Sequence, residues 1–220
     1  MKIGIIGAGH IGGNCARQFA RVGHQVLLSY SRHPQALNDL AAEIGHGAIA
    51  TSPDSALHDA DLTVVSVSWA MIDDVIIQAG SFAGRIVIDT TNQFSPTGVI
   101  DLGGQTAARY NANRMVGARY TKSFNTFTAG FQAATAGRTG DDRVVQWVCG
   151  ADATAKELVM SVIDEIGYLP IDVGELDDAA VMEAPRRHGS VYGEEYRRSD
   201  AEAVVAAVRA GQPIPPTPTY

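Results

Sequence analysis

Short apolar runs alternate along the chain with longer segments whose apolar residues recur at helical spacing. Residues 2–6 (Lys-Ile-Gly-Ile-Ile) predict a strand, and the nearly continuous β-branched run 61–68 predicts a strand buried on both faces. Residues 34–44 predict a helix, with Pro34 in its first turn and Gly45 just beyond its end. Buried strands separated by helices are typical of a parallel sheet with right-handed crossovers.

The rest of the chain continues this alternation, less regularly in its second half. The further predicted elements are strands over 25–28, 48–51, 85–89, 115–123, 143–149 and 168–173, and helices over 14–22, 53–58, 69–79, 102–113, 127–136, 153–166 and 201–210. We therefore predict an α/β fold: a Rossmann-type, doubly wound, mostly parallel sheet with a small C-terminal α/β extension. Residues 1–175 would form the nucleotide-binding domain with its appended elements. Residues 176–220 would pack on that domain or on a dimer partner.

A glycine-rich turn follows the first predicted strand and opens the first helix. Gly7-Ala-Gly9-His-Ile-Gly12 matches G-x-G-x-x-G in the context that a dinucleotide-binding fingerprint requires. Gly7 permits the tight turn, Gly9 lets a pyrophosphate approach the backbone, and Gly12 lets the helix pack closely on the sheet. The helix N-terminus adds unpaired N–H groups and a partial positive charge. A purely structural turn is the alternative, and the context favours a bound dinucleotide.

The end of the second predicted strand indicates which dinucleotide binds. Enzymes that use NAD place an Asp or Glu about 20 residues beyond the loop to hold the ribose 2′-hydroxyl. No carboxylate occurs here between Gly12 and Asp39; instead, Ser31 and Arg32 occupy the expected position. A guanidinium and a hydroxyl suit a 2′-phosphate, which a carboxylate would repel. We predict NADP(H), although Arg32 as a solvated surface residue is the alternative.

Two further strand ends supply candidate cofactor contacts. Val67, Ser68 and Trp69 end one predicted strand, and the run from Asp89 to Asn92 ends the next. Ligands of open α/β sheets bind outside the carboxyl ends of the strands, so these residues should line the crevice. Trp69 could equally be a core aromatic, and Asp89 could simply cap the following turn.

Composition and net charge limit the kinds of partner that the chain is expected to bind. The chain has 220 residues, of which 45% are hydrophobic and 19% charged, with a formal net charge of −7 and two cysteines. An acidic chain without a basic run makes nucleic acid an unsuitable partner. The two cysteines suit a reducing compartment, and no metal-ligand spacing occurs. We find no signal peptide and no apolar run long enough for a membrane span, so we expect a cytoplasmic protein without a membrane partner.

Several of these features together resemble the NADPH-dependent F420 reductases. The resemblance rests on the glycine loop, the Ser31-Arg32 pair and Lys122-Ser-Phe-Asn-Thr126, and it covers most of residues 1–175. It implies a homodimer that binds NADP(H) and coenzyme F420 face to face and transfers a hydride between the nicotinamide C4 and the deazaflavin C5. It also implies that Ser31 and Arg32 hold the 2′-phosphate and that Phe124, Asn125 and Thr126 lie near the two rings. The chain departs from the family at Tyr30, where many members have glycine.

Together, the motifs and the resemblance give one set of candidate cofactor-binding residues and no catalytic side chain. The set is Gly7, Gly9, His10, Ile11, Gly12, Ser31, Arg32, Val67, Ser68, Trp69, Asn92, Phe124, Asn125 and Thr126. Hydride transfer between two cofactors needs orientation and exclusion of water rather than a strong acid. Two alternatives stay open: an NADPH-dependent reductase of a small carbonyl or imine, and a non-catalytic NADP(H)-binding redox sensor.

Three features beyond this set have both a functional and a structural interpretation. Lys122 could be a proton donor in a carbonyl or imine reductase, or an ordinary solvated lysine. An aromatic set could wall a flat ring pocket or pack in the core; its members are Trp69, Phe94, Phe124, Phe127 and Phe131. The Arg/Tyr-rich segment 186–198 could attract the acidic tail of F420, or form a salt-bridged strip with Glu194 and Glu195.

Overall fold

A computed structural model describes residues 1–30 and 34–220, which form an eight-stranded sheet, a small hairpin and the helices around them. The strands are β1 Lys2–Ile6, β2 Gln25–Ser29, β3 Ile49–Ala50, β4 Leu62–Val65, β5 Ile86–Asp89, β6 Phe94–Ser95, β7 Gly98–Val99, β8 Arg119–Lys122, β9 Val145–Gly150 and β10 Leu169–Gly174. The α-helices are α1 His10–Arg21, α2 Pro34–Ile44, α3 Pro53–His58, α4 Ile72–Ala79, α5 Ala107–Arg114, α6 Ala129–Thr135, α7 Ala153–Glu165 and α8 Arg198–Arg209. Short 3₁₀ turns lie at Trp69–Met71, Gly140–Asp142 and Asp178–Met182.

The order of the strands places a crevice beside the glycine turn. The sheet runs β10-β9-β8-β5-β4-β1-β2-β3, and its neighbours pair in parallel except β8 with β9. The chain moves outward from β1 through β2 to β3 and then returns to β4 on the other side of β1. Connections therefore diverge at the carboxyl ends of β1 and β4, which is where open α/β sheets bind ligands.

Helices cover both faces of the sheet, which explains why its strands read as continuous apolar runs. Side chains alternate between the faces, so the neighbours Ile5 and Ile6 enter two different core clusters. Val64 and Val65 divide in the same way. The predicted fold class, a mostly parallel doubly wound α/β sheet, is confirmed.

The C-terminal extension lengthens this sheet. β9 and β10 pair in parallel with each other, and β9 runs antiparallel to β8, with Lys122 opposite Cys149. α7 and α8 contact these strands. The tail returns to the start of α8, where the Tyr220 hydroxyl donates to Asp200 and accepts from the backbone N–H of Arg197. Within residues 1–30 and 34–220, no helix combines the length and apolar character needed to cross a bilayer.

Two differences from the predicted elements fall between β5 and β8. Residues 94–99 form the β6–β7 hairpin, which the pattern did not predict. The helix predicted over 102–113 begins only at Ala107, because Gly103 and Gly104 adopt positive φ and the Thr106 side chain caps the N-terminus.

Candidate nucleotide-binding crevice

The three glycines between β1 and α1 have different surroundings. Gly7 has φ +99°, and a Cβ there would lie 2.3 Å from the Ser66 carbonyl oxygen. A Cβ on Gly12 would lie 2.1 Å from the Gly7 carbonyl oxygen, so packing of the turn itself requires both glycines. At Gly9, by contrast, no atom of the described residues lies within 4 Å of the Cβ position. The missing side chain at Gly9 leaves open space next to the helix N-terminus.

The start of α1 is suited to an anion. Gly9 is its N-cap and offers no side-chain acceptor, and the first turn contains no acidic residue. The first N–H groups of a helix lack intrahelical partners and carry a partial positive charge. A pyrophosphate placed beside Gly9 would accept from these groups, so the residues present fit a dinucleotide.

Two cavities adjoin this loop and share Ala8 and Gly9. One, of about 350 Å³, reaches the ends of β2 and β4; it is lined by Gly7, Ala8, Gly9, Tyr30, Ser66, Val67, Ser68 and Met71. The other, of about 490 Å³, lies among α1, α2 and α6; it is lined by Ala8, Gly9, His10, Asn14, Arg17, Leu40, Ala129 and Gly130. The structure thus brings Gly7, Gly9, His10, Val67 and Ser68 of the predicted set to one crevice.

The loops after β5 and β8 are joined by two asparagines. Asn92 Nδ2 donates to the carbonyl oxygen of Asn125 at 2.9 Å, and Asn125 Nδ2 donates to Asn92 Oδ1 at 3.1 Å. Asn125 Nδ2 also donates to the Met182 carbonyl oxygen at 2.8 Å. These bonds fix the two predicted residues next to each other, and they leave Asn125 Oδ1 without a donor among the described residues.

Other polar atoms near Asn125 also lack partners. Ser123 Oγ and Thr126 Oγ1 are buried and make no hydrogen bond to the described residues. Phe124, between them, has φ +57°, an uncommon conformation for a bulky residue that clusters at functional sites. An unsatisfied buried polar atom costs about 1–3 kcal/mol, so these atoms are candidates to contact a ligand or water.

Behind these loops lies a buried ion pair. Lys122 Nζ is 3.7 Å from Asp89 Oδ2, and both side chains are 0% exposed. Lys122 also donates to the Thr91 carbonyl oxygen, while Asp89 Oδ1 accepts from the Thr91 N–H at 2.8 Å. The pair therefore holds both polar groups of Thr91 immediately before Asn92. The interpretation of Lys122 as a solvated lysine is wrong, because strand β8 is covered on both faces.

Asp89 has two more donors, which complete its hydrogen bonding. Asn111 Nδ2 and the Tyr120 hydroxyl donate to Oδ2 at 2.8 Å and 2.5 Å. Burial, followed by the charge of Asp89 and this hydrogen bond, raises the pKa of Tyr120 well above its usual value. The phenol therefore remains a donor to the carboxylate at neutral pH.

A third cavity, of about 290 Å³, lies beyond Asn125. It is lined by Thr126, Phe127, Thr128, Phe131, Tyr192, Gly193, Glu194 and Glu195. The rings of Phe127 and Phe131 have centroids 4.8 Å apart. Two of the five predicted aromatic residues thus line a cavity.

The remaining aromatic residues of the predicted set lie elsewhere. Trp69 is buried in the core with its ring 5.7 Å from that of Tyr110, so its core interpretation matches the structure better than a crevice wall. Phe124 packs edge-on against Phe19 and Tyr168 in the opposite core cluster. Phe94 is exposed on the β6–β7 hairpin.

The arginines of segment 186–198 are largely paired. Arg186 contacts Glu194 at 2.6 Å, and Arg197 contacts Glu195 at 2.6 Å. Arg187 donates to backbone carbonyl oxygens of Ala180, Glu183 and Pro185. The salt-bridged interpretation of this segment therefore accounts for Arg186 and Arg197, while Arg187 is held by backbone carbonyl oxygens.

Two predicted residues cannot be placed, and several were missed. Ser31 and Arg32 lie outside the described residues, so their assignment to a 2′-phosphate stays a prediction. Sequence reasoning did not find the Asn92–Asn125 bonds or the pairing of Lys122 with Asp89. A lysine inside a strand whose neighbours are buried was a signal for the pair, and the hydrogen bonds depend on tertiary placement.

Fold and crevice together are those of a Rossmann-type domain whose residues fit a dinucleotide. Residues 2–93, less than half of the chain, match the family model described as NADP oxidoreductase coenzyme F420-dependent. A curated relative, the metalloreductase STEAP3 of Rattus norvegicus, is 29% identical over 83% of this chain, which spans only 36% of that protein.

Two solved structures support the fold over most of the chain. The hypothetical protein SMa0349 from Sinorhizobium meliloti superposes with a TM-score of 0.80 at 27% identity, covering 90% of this chain and 96% of that one. A protein from Arthrobacter sp. FB24, named provisionally as an F420-dependent NADP-reductase, superposes with a TM-score of 0.71 at 23% identity, covering 81% and 87%. Over residues 2–93 the chain is thus similar to NADP-dependent oxidoreductases, and its relatives do not share one co-substrate.

Proposed function

We propose that the protein binds NADP(H) across the glycine loop and transfers a hydride between the nicotinamide and a planar co-substrate. Coenzyme F420 is the first candidate, because the matching family model is F420-dependent and the sequence resembles F420 reductases. The observation that carries the proposal is the open space at Gly9, next to a helix N-terminus that has no side-chain cap.

Different residues of the crevice would hold different parts of the nucleotide. The first turn of α1 would donate N–H groups to the pyrophosphate. Ser31 and Arg32 would hold the 2′-phosphate, as the sequence predicts. Asn125 Oδ1, a buried acceptor to which none of the described residues donates, would accept from the carboxamide N–H of the nicotinamide. Because Asn92 fixes Asn125, the ring would be oriented by a rigid pair rather than by a mobile loop.

The aromatic cavity beyond Asn125 supports a flat co-substrate. Phe127, Phe131 and Tyr192 line it, and such surfaces contact a ring system while excluding water. Bound NADPH would supply the hydride and become NADP⁺, while the co-substrate gains the two electrons of the hydride and takes one proton from solvent. No strong acid is required at the ring, which agrees with a crevice in which Lys122 is buried behind Thr91.

Reduction of a small carbonyl or imine is supported less well. That chemistry needs a proton donor at the reacting atom, and the candidate donor, Lys122, is fully buried and paired. The ion-paired Arg186 and Arg197 also weaken one argument for F420, since they offer little net positive charge to its acidic tail. A co-substrate assay is therefore decisive.

Two glycine variants test the binding site. Gly9→Ala should leave the free energy of unfolding within about 0.5 kcal/mol, because its Cβ meets open space, yet it should abolish NADPH binding measured by calorimetry. Gly12→Ala should instead destabilise the fold by about 1–3 kcal/mol or more, because its Cβ meets a carbonyl oxygen. Unchanged NADPH affinity in a folded Gly9→Ala variant would refute the site.

The co-substrate is tested separately. Purified protein mixed with NADPH and oxidised F420 should bleach the visible absorbance of the deazaflavin. If NADPH binds and F420 is not reduced, F420 is excluded, and NADPH oxidation is then followed with imines, carbonyls and ferric complexes. No turnover with any acceptor would favour the redox sensor.

A further inference from the structure

Tyr30 directly follows β2 and adopts a left-handed backbone conformation. Its φ is +60°, in the region that favours glycine. A bulky residue therefore occupies a position that would suit glycine better. The side chain is therefore expected to have a role that offsets the backbone cost.

The side chain is held firmly by α4. The Tyr30 hydroxyl donates to Asp74 Oδ2 at 2.5 Å, and Gln78 Nε2 donates to the same oxygen at 2.8 Å. The ring is half-buried and packs against the core cluster. These contacts fix the ring plane before any ligand arrives.

The ring lines the cavity that continues from the glycine loop. Val67 and Met71 line the same cavity, and its volume is about 350 Å³. An aromatic ring, a thioether and a branched aliphatic side chain form an apolar wall that suits a flat heteroaromatic ring. The end of β2 is where this fold places the adenosine ribose, so the wall lies at the adenosine end of the crevice.

We propose that Tyr30, held by Asp74, forms with Met71 the wall on which the adenine ring of the nucleotide stacks. This inference rests on the proposed binding of NADP(H). It assigns Tyr30 to a part of the nucleotide that NADPH and NADH share. Tyr30 thus differs from Arg32, whose predicted partner is the 2′-phosphate alone.

Calorimetry with four ligands tests the assignment: NADPH, NADH, adenosine 2′,5′-bisphosphate and nicotinamide mononucleotide. Tyr30→Gly removes the ring and also relieves the left-handed backbone. Loss of a stacked base should reduce the affinity for each of the three adenine-containing ligands by about ten- to a hundredfold. The affinity for nicotinamide mononucleotide should stay the same. Arg32→Ala is the matched control. It should reduce the affinity only for NADPH and adenosine 2′,5′-bisphosphate, the two ligands that carry the 2′-phosphate.

The Asp74 bond has its own test. Tyr30→Phe and Asp74→Ala each remove the same hydrogen bond but keep the ring. Each should therefore reduce the affinity for NADPH less than Tyr30→Gly does. The double variant should bind NADPH no more weakly than the single variant with the lower affinity, because both substitutions remove the same hydrogen bond. Circular dichroism and thermal unfolding check that each variant folds. If Tyr30→Gly does not fold, Tyr30→Asn takes its place, because it also removes the ring and Asn tolerates the left-handed conformation.

The outcomes separate this inference from the proposed function. If wild-type protein binds none of the four ligands, the proposed function fails and the inference with it. If wild-type protein binds NADPH and Tyr30→Gly binds it equally well, only the inference fails. Equal weakening of adenosine bisphosphate and nicotinamide mononucleotide by Tyr30→Gly would also overturn it, because a general collapse of the loop would then explain the loss.

Discussion

Replacing Lys122 by Met should destabilise the protein strongly, although no surface charge is touched. The substitution keeps an unbranched apolar stem and removes the ammonium, which leaves Asp89 buried without its counter-charge. Breaking one side of a buried pair costs about 3–5 kcal/mol. Asp89 keeps its bonds from Thr91, Asn111 and Tyr120, which limits the loss, while the Thr91 carbonyl loses a donor.

The expected change is large enough to measure by two methods. For a chain of this size about 3–5 kcal/mol corresponds to a fall in melting temperature of about 6–20 °C. Urea denaturation followed by circular dichroism gives the free energy of unfolding directly. The variant Asp89→Asn combined with Lys122→Met removes both charges, so it should be more stable than Lys122→Met alone.

An exposed pair in the same protein provides the control. Arg109 and Asp177 approach more closely, at 2.8 Å, but their side chains are 38% and 73% exposed. Arg109→Met should cost no more than about 1 kcal/mol, because water and salt screen such pairs. The reasoning is refuted if Lys122→Met costs less than Arg109→Met, since burial would then not decide the strength of the pair.

Two further predictions concern other groups. Asp152 caps α7 through the Ala155 N–H and pairs with Arg119, and these contacts, the Arg119 hydrogen bond first, lower its pKa. Asp152→Ala should cost about 1 kcal/mol at pH 7. Because folding lowers the pKa of Asp152, its contribution to stability is present above the usual carboxyl pKa of about 4 and is lost as the pH falls further. The difference in urea midpoint between wild-type protein and Asp152→Ala should therefore shrink on acidification, and a difference that widens would contradict the prediction. Burial raises the pKa of Cys15 and Cys149 to about 12, so a thiol reagent at pH 8 should label neither in the native protein and both in urea; rapid native labelling of either would show that its site opens.

The sequence was sufficient for the elements that bury a regular apolar pattern. β1, α2 and α7 follow their predicted spans within a few residues, because each is an apolar run or stripe with a glycine or proline near its end. β4 lies within its predicted span because its β-branched run is buried on both faces. The hairpin at 94–99 has no such pattern: Phe94 and Val99 are exposed, and its two strands have two residues each. A hairpin of this kind is determined by its turn and neighbours rather than by periodicity.

The site was predictable only as far as its motifs are local. Gly7, Gly9 and Gly12 could be read from spacing, since a turn and a helix start act through adjacent residues. The roles of Asn92 and Asn125 depend on the parallel pairing of β5 with β8, which places two loops 33 residues apart at one edge. No property of either residue alone indicates that contact.

Hydrogen bonds connect the buried Asp89–Lys122 pair to the crevice. This connection suggests why the chain buries two charged groups there, although their desolvation costs free energy. Asp89 ends β5 and Lys122 ends β8, and between them they bind both polar groups of Thr91. The next residue, Asn92, fixes Asn125, whose Oδ1 has no donor among the described residues at the proposed nicotinamide site. In the double variant, Asn at position 89 can still accept from the Thr91 N–H, but Met at position 122 leaves the Thr91 carbonyl oxygen without its donor. This variant should therefore regain stability without regaining full NADPH affinity, and equal recovery of both would show that the pair acts on the fold alone.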